Sequence, residues 1–125
     1  MSIERASSAA AGRLSQFEAM LDSALADAAA WEFDRPTSST VARVREIFAY
    51  MAERLDSTGA FAVAVGDDGS IELTVSGPVS YVTVAVQAGG RRVHAATVDA
   101  AEKRVVWQEE EPPLSRLAKE IERAA

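Results

Sequence analysis

The chain has no cysteine and only one histidine among its 125 residues. Without cysteine it forms no disulfide, no thiolate metal site and no cysteine nucleophile, and this composition fits a reducing compartment. Residues 1–17 also lack the continuous apolar core of a secretory signal. The longest apolar runs, around residues 60–65 and 82–86, are far shorter than the ~18 residues of a membrane span. We therefore expect a cytoplasmic protein that does not associate with membranes.

An excess of basic charge is also missing. The chain has 19 acidic residues and 13 lysines and arginines, which gives a net charge of −6. An acidic surface repels phosphate backbones unless its bases are concentrated in one place. The only basic doublets, Arg91–Arg92 and Lys103–Arg104, fall at predicted turns, where solvation explains them. The composition therefore argues against nucleic acid as a partner.

No catalytic or ligand-binding constellation is visible in the sequence. His94 lies in a predicted strand without a neighbouring serine or aspartate that would form a nucleophile relay. Asp67-Asp68-Gly69 is similar to part of a calcium loop, but the remaining ligands of that loop are missing, and a hairpin turn explains the segment. The glycines are scattered over turns rather than gathered before a helix. We predict no catalytic residue, no metal site and no cofactor.

Two helices are predicted in the first half of the chain, within residues 13–58. The first runs from Ser8 to Ala30, and its apolar stripe contains Leu14, Phe17, Leu21 and Leu25. Gly12 weakens the start of this helix. The prediction therefore includes the possibility that residues 1–12 are disordered. After a break at Pro36, the second helix runs from Ser39 to Ser57, with hydroxyl caps at 37–39 and Gly59 as its C-terminal stop.

Residues 60–108 predict five strands joined by short turns. Ile71, Leu73 and Val75 alternate with polar residues, which indicates a strand with one solvated face. The run 79–88 is apolar on both sides and is the predicted central strand. Gly89-Gly90 fits a two-residue hairpin turn with positive φ, and it is followed by strands at 93–98 and 103–108.

The connections are too short for parallel pairing, so the sequence predicts an antiparallel meander. Residues 109–113 form a polar break, and a short helix follows within 113–124, with Leu117 and Ile121 facing inward. The predicted fold is a single α+β domain of residues 1–125. In it, two N-terminal helices pack on one face of a sheet of four or five antiparallel strands, and a short C-terminal helix completes the chain.

Two short segments resemble a pattern in small uncharacterised bacterial and phage proteins. They are Trp31-Glu-Phe-Asp34, followed by Pro36-Thr-Ser-Ser-Thr-Val41 and a helix, and Asp68-Gly-Ser-Ile-Glu-Leu73 at the start of a strand. The resemblance covers about residues 25–100. It implies the same order of helices followed by a meander, and it suggests a mobile-element setting, but it implies no activity.

Aromatic residues ringed by acids mark two candidate interaction surfaces. The first includes Asp27, Trp31, Phe33 and Asp34, and the second includes Trp107 with Glu109 and Glu110. A tryptophan buries a large apolar area in an interface, while acids steer a basic partner. Alternatively, these aromatics close the ends of the core, which suits Trp107 best.

Three classes of function remain open at this stage. We expect a protein-interaction module, such as an antitoxin, immunity protein, chaperone or phage accessory protein, that binds a protein partner. The alternatives are a homo-oligomeric structural or scaffold protein that self-associates, and a small-ligand-binding protein or enzyme with a pocket between helices and sheet.

Overall fold

A computed structural model describes residues 2–54 and 60–124, with side chains from residue 9 onward except at Arg54. Over these residues the chain forms three helices and one five-stranded sheet. The elements are α1 (Ser2–Ala30), α2 (Ser38–Arg54), β1 (Ala60–Val65), β2 (Ile71–Ser76), β3 (Ser80–Val86), β4 (Val93–Asp99), β5 (Val105–Glu110) and α3 (Leu114–Ala124). The predicted α+β architecture is confirmed.

The sheet is an antiparallel meander in which spatial order follows chain order, from β1 at one edge to β5 at the other. The strand β3 is central, as predicted, and its residues alternate between fully buried and half-buried positions. All three helices cover the face that carries Leu73, Val84 and their neighbours. We call the opposite side the open face; it carries Glu72, Thr74 and Tyr81, among others.

One apolar core joins the helices to the covered face of the sheet. The ring of Phe17 in α1 stacks on that of Phe48 in α2, with centroids 4.4 Å apart, and Phe48 also contacts Phe61 in β1. The core is completed by buried side chains from every layer, including Leu21, Val44, Ile47, Met51, Ile71, Leu73, Val75, Val82, Val84, Leu117 and Ile121. The inward-facing stripes predicted for α1 and α3 are thus confirmed.

The start of α1 departs from the sequence prediction, whereas the start of α2 agrees with it to within one residue. The first helix starts at Ser2, ahead of the predicted Ser8. In α2, Thr37 acts as the N-cap, because its Oγ1 accepts a hydrogen bond of 3.2 Å from the Thr40 amide. The predicted end of this helix at Ser57 and its stop at Gly59 lie outside the described residues.

The β3–β4 turn is longer than the predicted two-residue turn. The Gln87 amide donates to the Arg92 carbonyl at 2.9 Å, which leaves a four-residue loop, 88–91, between the strands. Gly89 and Gly90 do have the predicted positive φ angles of 90° and 72°. A Cβ on Gly90 would lie 2.7 Å from the Ser39 carbonyl oxygen, so this loop packs against the start of α2.

The last strand was predicted two residues too early, at 103–108 rather than Val105–Glu110. Its register with β4 shifts between Thr97 and Val98, and such a bulge inserts an extra residue that periodicity alone does not reveal. Glu109 and Glu110 therefore belong to β5 and not to the predicted polar break. The break begins at Glu111, whose carboxylate accepts hydrogen bonds from the Val93 amide at 2.6 Å and from Arg43 at 3.1 Å.

Candidate partner-docking surface

The C-terminus of α1 ends in a hydrogen-bonded motif that determines where Trp31 and Phe33 lie. The Phe33 amide donates to the Ala28 carbonyl at 3.0 Å, and the Glu32 amide donates to the Ala29 carbonyl at 3.1 Å. This pair of bonds is the Schellman arrangement, in which the residue after the helix adopts a left-handed conformation. Glu32 occupies that position with φ of 60°, although glycine is the usual residue there.

The segment Trp31–Asp34, which we call the Trp31 segment, is the most exposed aromatic part of the described chain. Trp31 is 74% exposed and Phe33 is 37% exposed. The left-handed conformation of Glu32 turns the chain directly after Trp31, and the indole lies on the surface beside the α1–β1 contact. An exposed tryptophan can bury roughly 150–250 Å² of surface when a partner covers it.

Two shallow cavities adjoin this segment and share Ala28 and Phe33 as lining residues. The first, with a volume of about 440 Å³, lies between α1 and β1; we call it the α1–β1 groove. The second, of about 500 Å³, lies between α1 and the chain leading into α2, and it includes Leu25, Pro36 and Val41. Phe33 therefore separates two apolar depressions, and Trp31 borders the first of them.

The Trp31 segment is tied to the turn between β1 and β2. The Asp34 amide donates to the Asp67 carbonyl at 3.0 Å. Gly69, with φ of 84°, lies beneath the same stretch, because a Cβ on it would be 3.5 Å from the Asp34 carbonyl oxygen. Pro36 is buried. The segment is thus fixed through its backbone, which leaves the side chains of Trp31 and Asp34 on the surface.

The stretch of chain that ends in the Trp31 segment is acidic. Residues 20–34 include four acids and no lysine or arginine, and we call Asp22, Asp27, Glu32 and Asp34 the acidic segment. All four are exposed. Asp27 lines the α1–β1 groove, and Asp34 lines the second cavity next to Arg35. The structure therefore brings together the four residues that the sequence suggested for this surface: Asp27, Trp31, Phe33 and Asp34.

The other predicted surface, on β5, lies at the opposite edge of the sheet from β1. Trp107 is half-buried and packs against the core, with the Arg116 guanidinium 5.3 Å from its ring centre. The Glu110 carboxylate and His94 Nδ1 are hydrogen-bonded at 2.6 Å on the open face. Glu109 is half-buried and pairs with Ala95 of β4. The two predicted surfaces therefore do not form one site.

The structure adds residues to the groove that the sequence did not single out. Met20 and Ala24 of α1 form one wall, and the consecutive residues Ala62–Val65 of β1 form the other. Only the packing of α1 beside the edge strand brings these walls together. The sequence signal that could have suggested them is the strand AFAVAV, which contains no charged residue.

The acidic residues and the histidine were also compared with the arrangement that a metal ion requires. Among the described side chains, at residues 9–53 and 60–124, no three histidine or acidic residues are placed to hold a metal ion. The calcium-like segment 67–69 forms the predicted turn. There, Asp68 Oδ1 accepts hydrogen bonds from the Ser70 hydroxyl at 2.6 Å and the Ser70 amide at 3.0 Å. These bonds stabilise the carboxylate and lower the pKa of Asp68 below its ordinary value.

Among the residues that the structure describes, no helix combines the length and the apolar character needed to cross a bilayer. Comparison with known proteins gives no match: no protein-family model, no curated protein and no solved structure matches this chain.

Proposed function

We propose that this chain is a non-catalytic protein-interaction module whose protein partner docks on the Trp31 segment. The observation that carries the proposal is the 74% exposure of Trp31, next to Phe33 and two apolar cavities. Tryptophans that fill a partner's pocket are typical energetic centres of interfaces. Most of the indole surface is not buried by the fold, so it is available to a partner.

The charge around Trp31 supports a basic partner surface. Asp27 lines one cavity beside Trp31 and Phe33, and Asp34 lines the other beside Phe33 and Arg35. Complementary charge accelerates association and rejects partners with like charge. In this arrangement Trp31 and Phe33 make the apolar contacts, while the charges of Asp27 and Asp34 orient the basic partner.

The setting that fits this proposal is a bacterial or phage antitoxin, immunity protein, chaperone-like protein or accessory protein in the cytoplasm. It is supported by the small acidic domain, the lack of cysteine and the resemblance described for residues 25–100. The β5 surface, with Trp107, Glu109 and Glu110, is the weaker candidate for docking, because Trp107 already packs against the core.

Two alternatives would use the same region of the chain differently. A homo-oligomeric scaffold protein would bury the Trp31 segment against a second copy. A small-ligand-binding protein or enzyme would use the cavity of about 500 Å³ beside Arg35, which has the size of small-molecule sites. Neither explains the exposed acids around Trp31 as directly as a basic protein partner does.

The proposal is tested with the double variant Trp31→Ala/Asp34→Lys. The wild-type chain is used to capture its partner from native lysate, the partner is purified, and the affinity is measured by titration calorimetry. We expect the double variant to bind at least about tenfold more weakly, with an unchanged circular dichroism spectrum. Val79→Ala, which shortens another exposed apolar side chain, is the control and should bind as the wild type does.

Two results would contradict the proposal. Wild-type affinity in a folded double variant would remove the Trp31 segment from the interface. A chain that captures no other protein, and that sedimentation shows to be a dimer which the double variant disrupts, would establish the scaffold alternative instead.

A further inference from the structure

The strand β1 has one side of its backbone unused by the sheet. The Gly66 amide donates to the carbonyl of Ser70, the residue directly opposite, at 2.9 Å. In an antiparallel ladder such bonded pairs recur at every second residue. The register between β1 and β2 therefore assigns the bonds toward β2 to residues 60, 62 and 64. The amide and carbonyl groups of residues 61, 63 and 65 point away from the sheet.

The two edges of this sheet differ in how they resist further pairing. Natural edge strands are commonly protected by charges, proline or a bulge. β5 carries a bulge opposite Thr97 and Val98 and ends in two glutamates. β1 carries none of these features, because it reads AFAVAV and pairs with β2 in continuous register. Of the two edges, β1 is therefore the one that can accept another strand.

The α1–β1 groove lies along this edge. It is lined by four consecutive β1 residues, Ala62–Val65, whose side chains alternate between the two faces of the sheet. A groove that touches all four in succession must run past the strand's backbone edge rather than over one face. Met20 and Ala24 form its apolar wall on α1, and Trp31 stands at one end. Side chains of a strand added here would contact that wall.

Charge identifies the kind of strand that fits. Asp27 is the charged residue among those that line the groove, and on the open face the exposed Glu72 of β2 lies opposite Ala64 of β1. A second copy of this chain would bring another acidic segment and a further net charge of −6 to the same place. Like charges across an interface are strongly disfavoured, whereas lysine or arginine would be attracted. The occupant favoured by these observations is a basic segment of another protein.

We propose that β1 and the α1–β1 groove bind an extended segment of a partner protein by strand addition, with apolar and basic residues in alternation. The main chain of that segment pairs with residues 61, 63 and 65, while its apolar side chains pack on Met20 and Ala24. Its basic side chains lie on the open face, over Ala62 and Ala64, where Glu72 of β2 is exposed. This inference rests on the proposed interaction function and names the binding mode of the same surface.

The test uses a synthetic peptide of four Lys-Val repeats and a matched peptide of four Glu-Val repeats. We expect the lysine peptide to bind and to slow hydrogen exchange at the outward-pointing amides of Phe61, Val63 and Val65. The glutamate peptide should bind at least about tenfold more weakly because its charge is reversed. Failure of the lysine peptide to bind, or binding without protection of those amides, would overturn the proposal.

Two further peptides separate strand pairing from simple charge attraction. One is N-methylated at its valines and the other at its lysines, so each loses the amide donors on one side of the extended chain. Only one side faces β1, so one of the two methylated peptides should lose binding and the other should retain it. Equal binding of both would show that charge alone holds the peptide, which contradicts strand addition.

Two proline variants place the site on the protein. Val63→Pro removes an outward-pointing donor without breaking a bond to β2, whereas Val106→Pro alters the bulge on the opposite edge. Peptide binding should disappear in the first variant and persist in the second, with both checked by circular dichroism. If Val63→Pro does not fold, the exchange measurement and the methylated peptides on the wild-type chain still decide the question.

The outcomes for the two proposals are distinguishable. If a native partner loses affinity in the Trp31→Ala/Asp34→Lys variant but binds Val63→Pro normally, the interaction function stands and strand addition is wrong. If sedimentation shows a wild-type dimer that Val63→Pro abolishes, the strand that β1 accepts belongs to a second copy, and the basic partner segment is wrong.

Discussion

Thr97 in β4 and Glu120 in α3 are joined by a buried hydrogen bond in which the threonine hydroxyl donates to the carboxylate at 3.2 Å. Thr97 is 4% exposed and Glu120 is 3% exposed. Arg116 and Arg123 pair with the second carboxylate oxygen at 3.4 and 3.1 Å. The C-terminal helix is therefore fixed to the sheet by a polar contact as well as by its apolar stripe.

The first prediction concerns this contact. Glu120→Ala leaves the buried Thr97 hydroxyl without its acceptor and should lower the free energy of unfolding by about 1–3 kcal/mol. Thr97→Val should cost less, because Glu120 keeps its arginines. Urea denaturation of both variants and of the double variant should give a coupling of at least about 0.5 kcal/mol. Additive losses, or an equal loss in the exposed control Glu122→Ala, would contradict a specific link.

The second prediction tests the two faces of the sheet. Val84 is fully buried in the central strand under the helices, whereas Thr74 lies on the open face. Val84→Asp buries a charge without a partner and should destabilise by several kcal/mol, while Thr74→Asp should cost less than about 1 kcal/mol. Thermal unfolding of the pair provides the measurement. Equal melting temperatures would show that the assignment of faces is wrong.

The sequence was sufficient for the order of elements and for most buried faces, because both depend on local periodicity. The alternation in Ile71–Val75 and the stripe of Leu117 and Ile121 each predict the buried side that the structure shows. The strand β5 was misplaced because its bulge, and the bonds of Glu111 to Val93 and Arg43, depend on contacts distant in sequence.

The candidate site was only half predictable. Aromatic residues next to acids in the sequence indicated a surface at Trp31 and Phe33, and Pro36 predicted a break nearby. Nothing in the sequence indicated that Glu32 would adopt the left-handed conformation that turns the chain. The α1–β1 groove was also invisible, since it forms only where Met20 and Ala24 pack beside an edge strand far along the chain.

The third prediction concerns Glu32. A non-glycine residue in the left-handed conformation costs about 1–2 kcal/mol, and glycine removes that cost while losing about 0.4–1 kcal/mol through the unfolded chain. Glu32→Gly should therefore stabilise the protein slightly, as measured by urea denaturation. Gly89→Ala is the reverse control, because it puts a non-glycine residue at a left-handed position. A Cβ there meets nothing within 4 Å, so the φ of 90° is the only feature of this site that disfavours alanine. Destabilisation by Glu32→Gly would mean that the glutamate side chain stabilises the helix end.

The fourth prediction concerns the turn at Asp68. Hydrogen bonds from Ser70 lower the pKa of Asp68 in the folded protein, so their contribution to stability is present above the pKa of the unfolded chain. That contribution is lost as the pH falls through the lower, folded pKa. Ser70→Ala removes the hydroxyl but keeps the amide donor, so the pKa of Asp68 should rise toward its ordinary value. Carboxyl NMR titration measures this, with Ser76→Ala as a control that should leave the pKa unchanged.

The last prediction separates binding from catalysis through His94. Its Nδ1 lies 2.6 Å from the Glu110 carboxylate on the open face of the sheet, away from the Trp31 segment. A protein that acts through the Trp31 segment does not need this imidazole, so His94→Ala should keep wild-type affinity for the partner and wild-type biological activity. Calorimetric titration and an activity assay on the same preparation test this. Lost activity with unchanged stability and unchanged affinity would instead indicate that the histidine performs chemistry, and the enzyme alternative would then replace the interaction module.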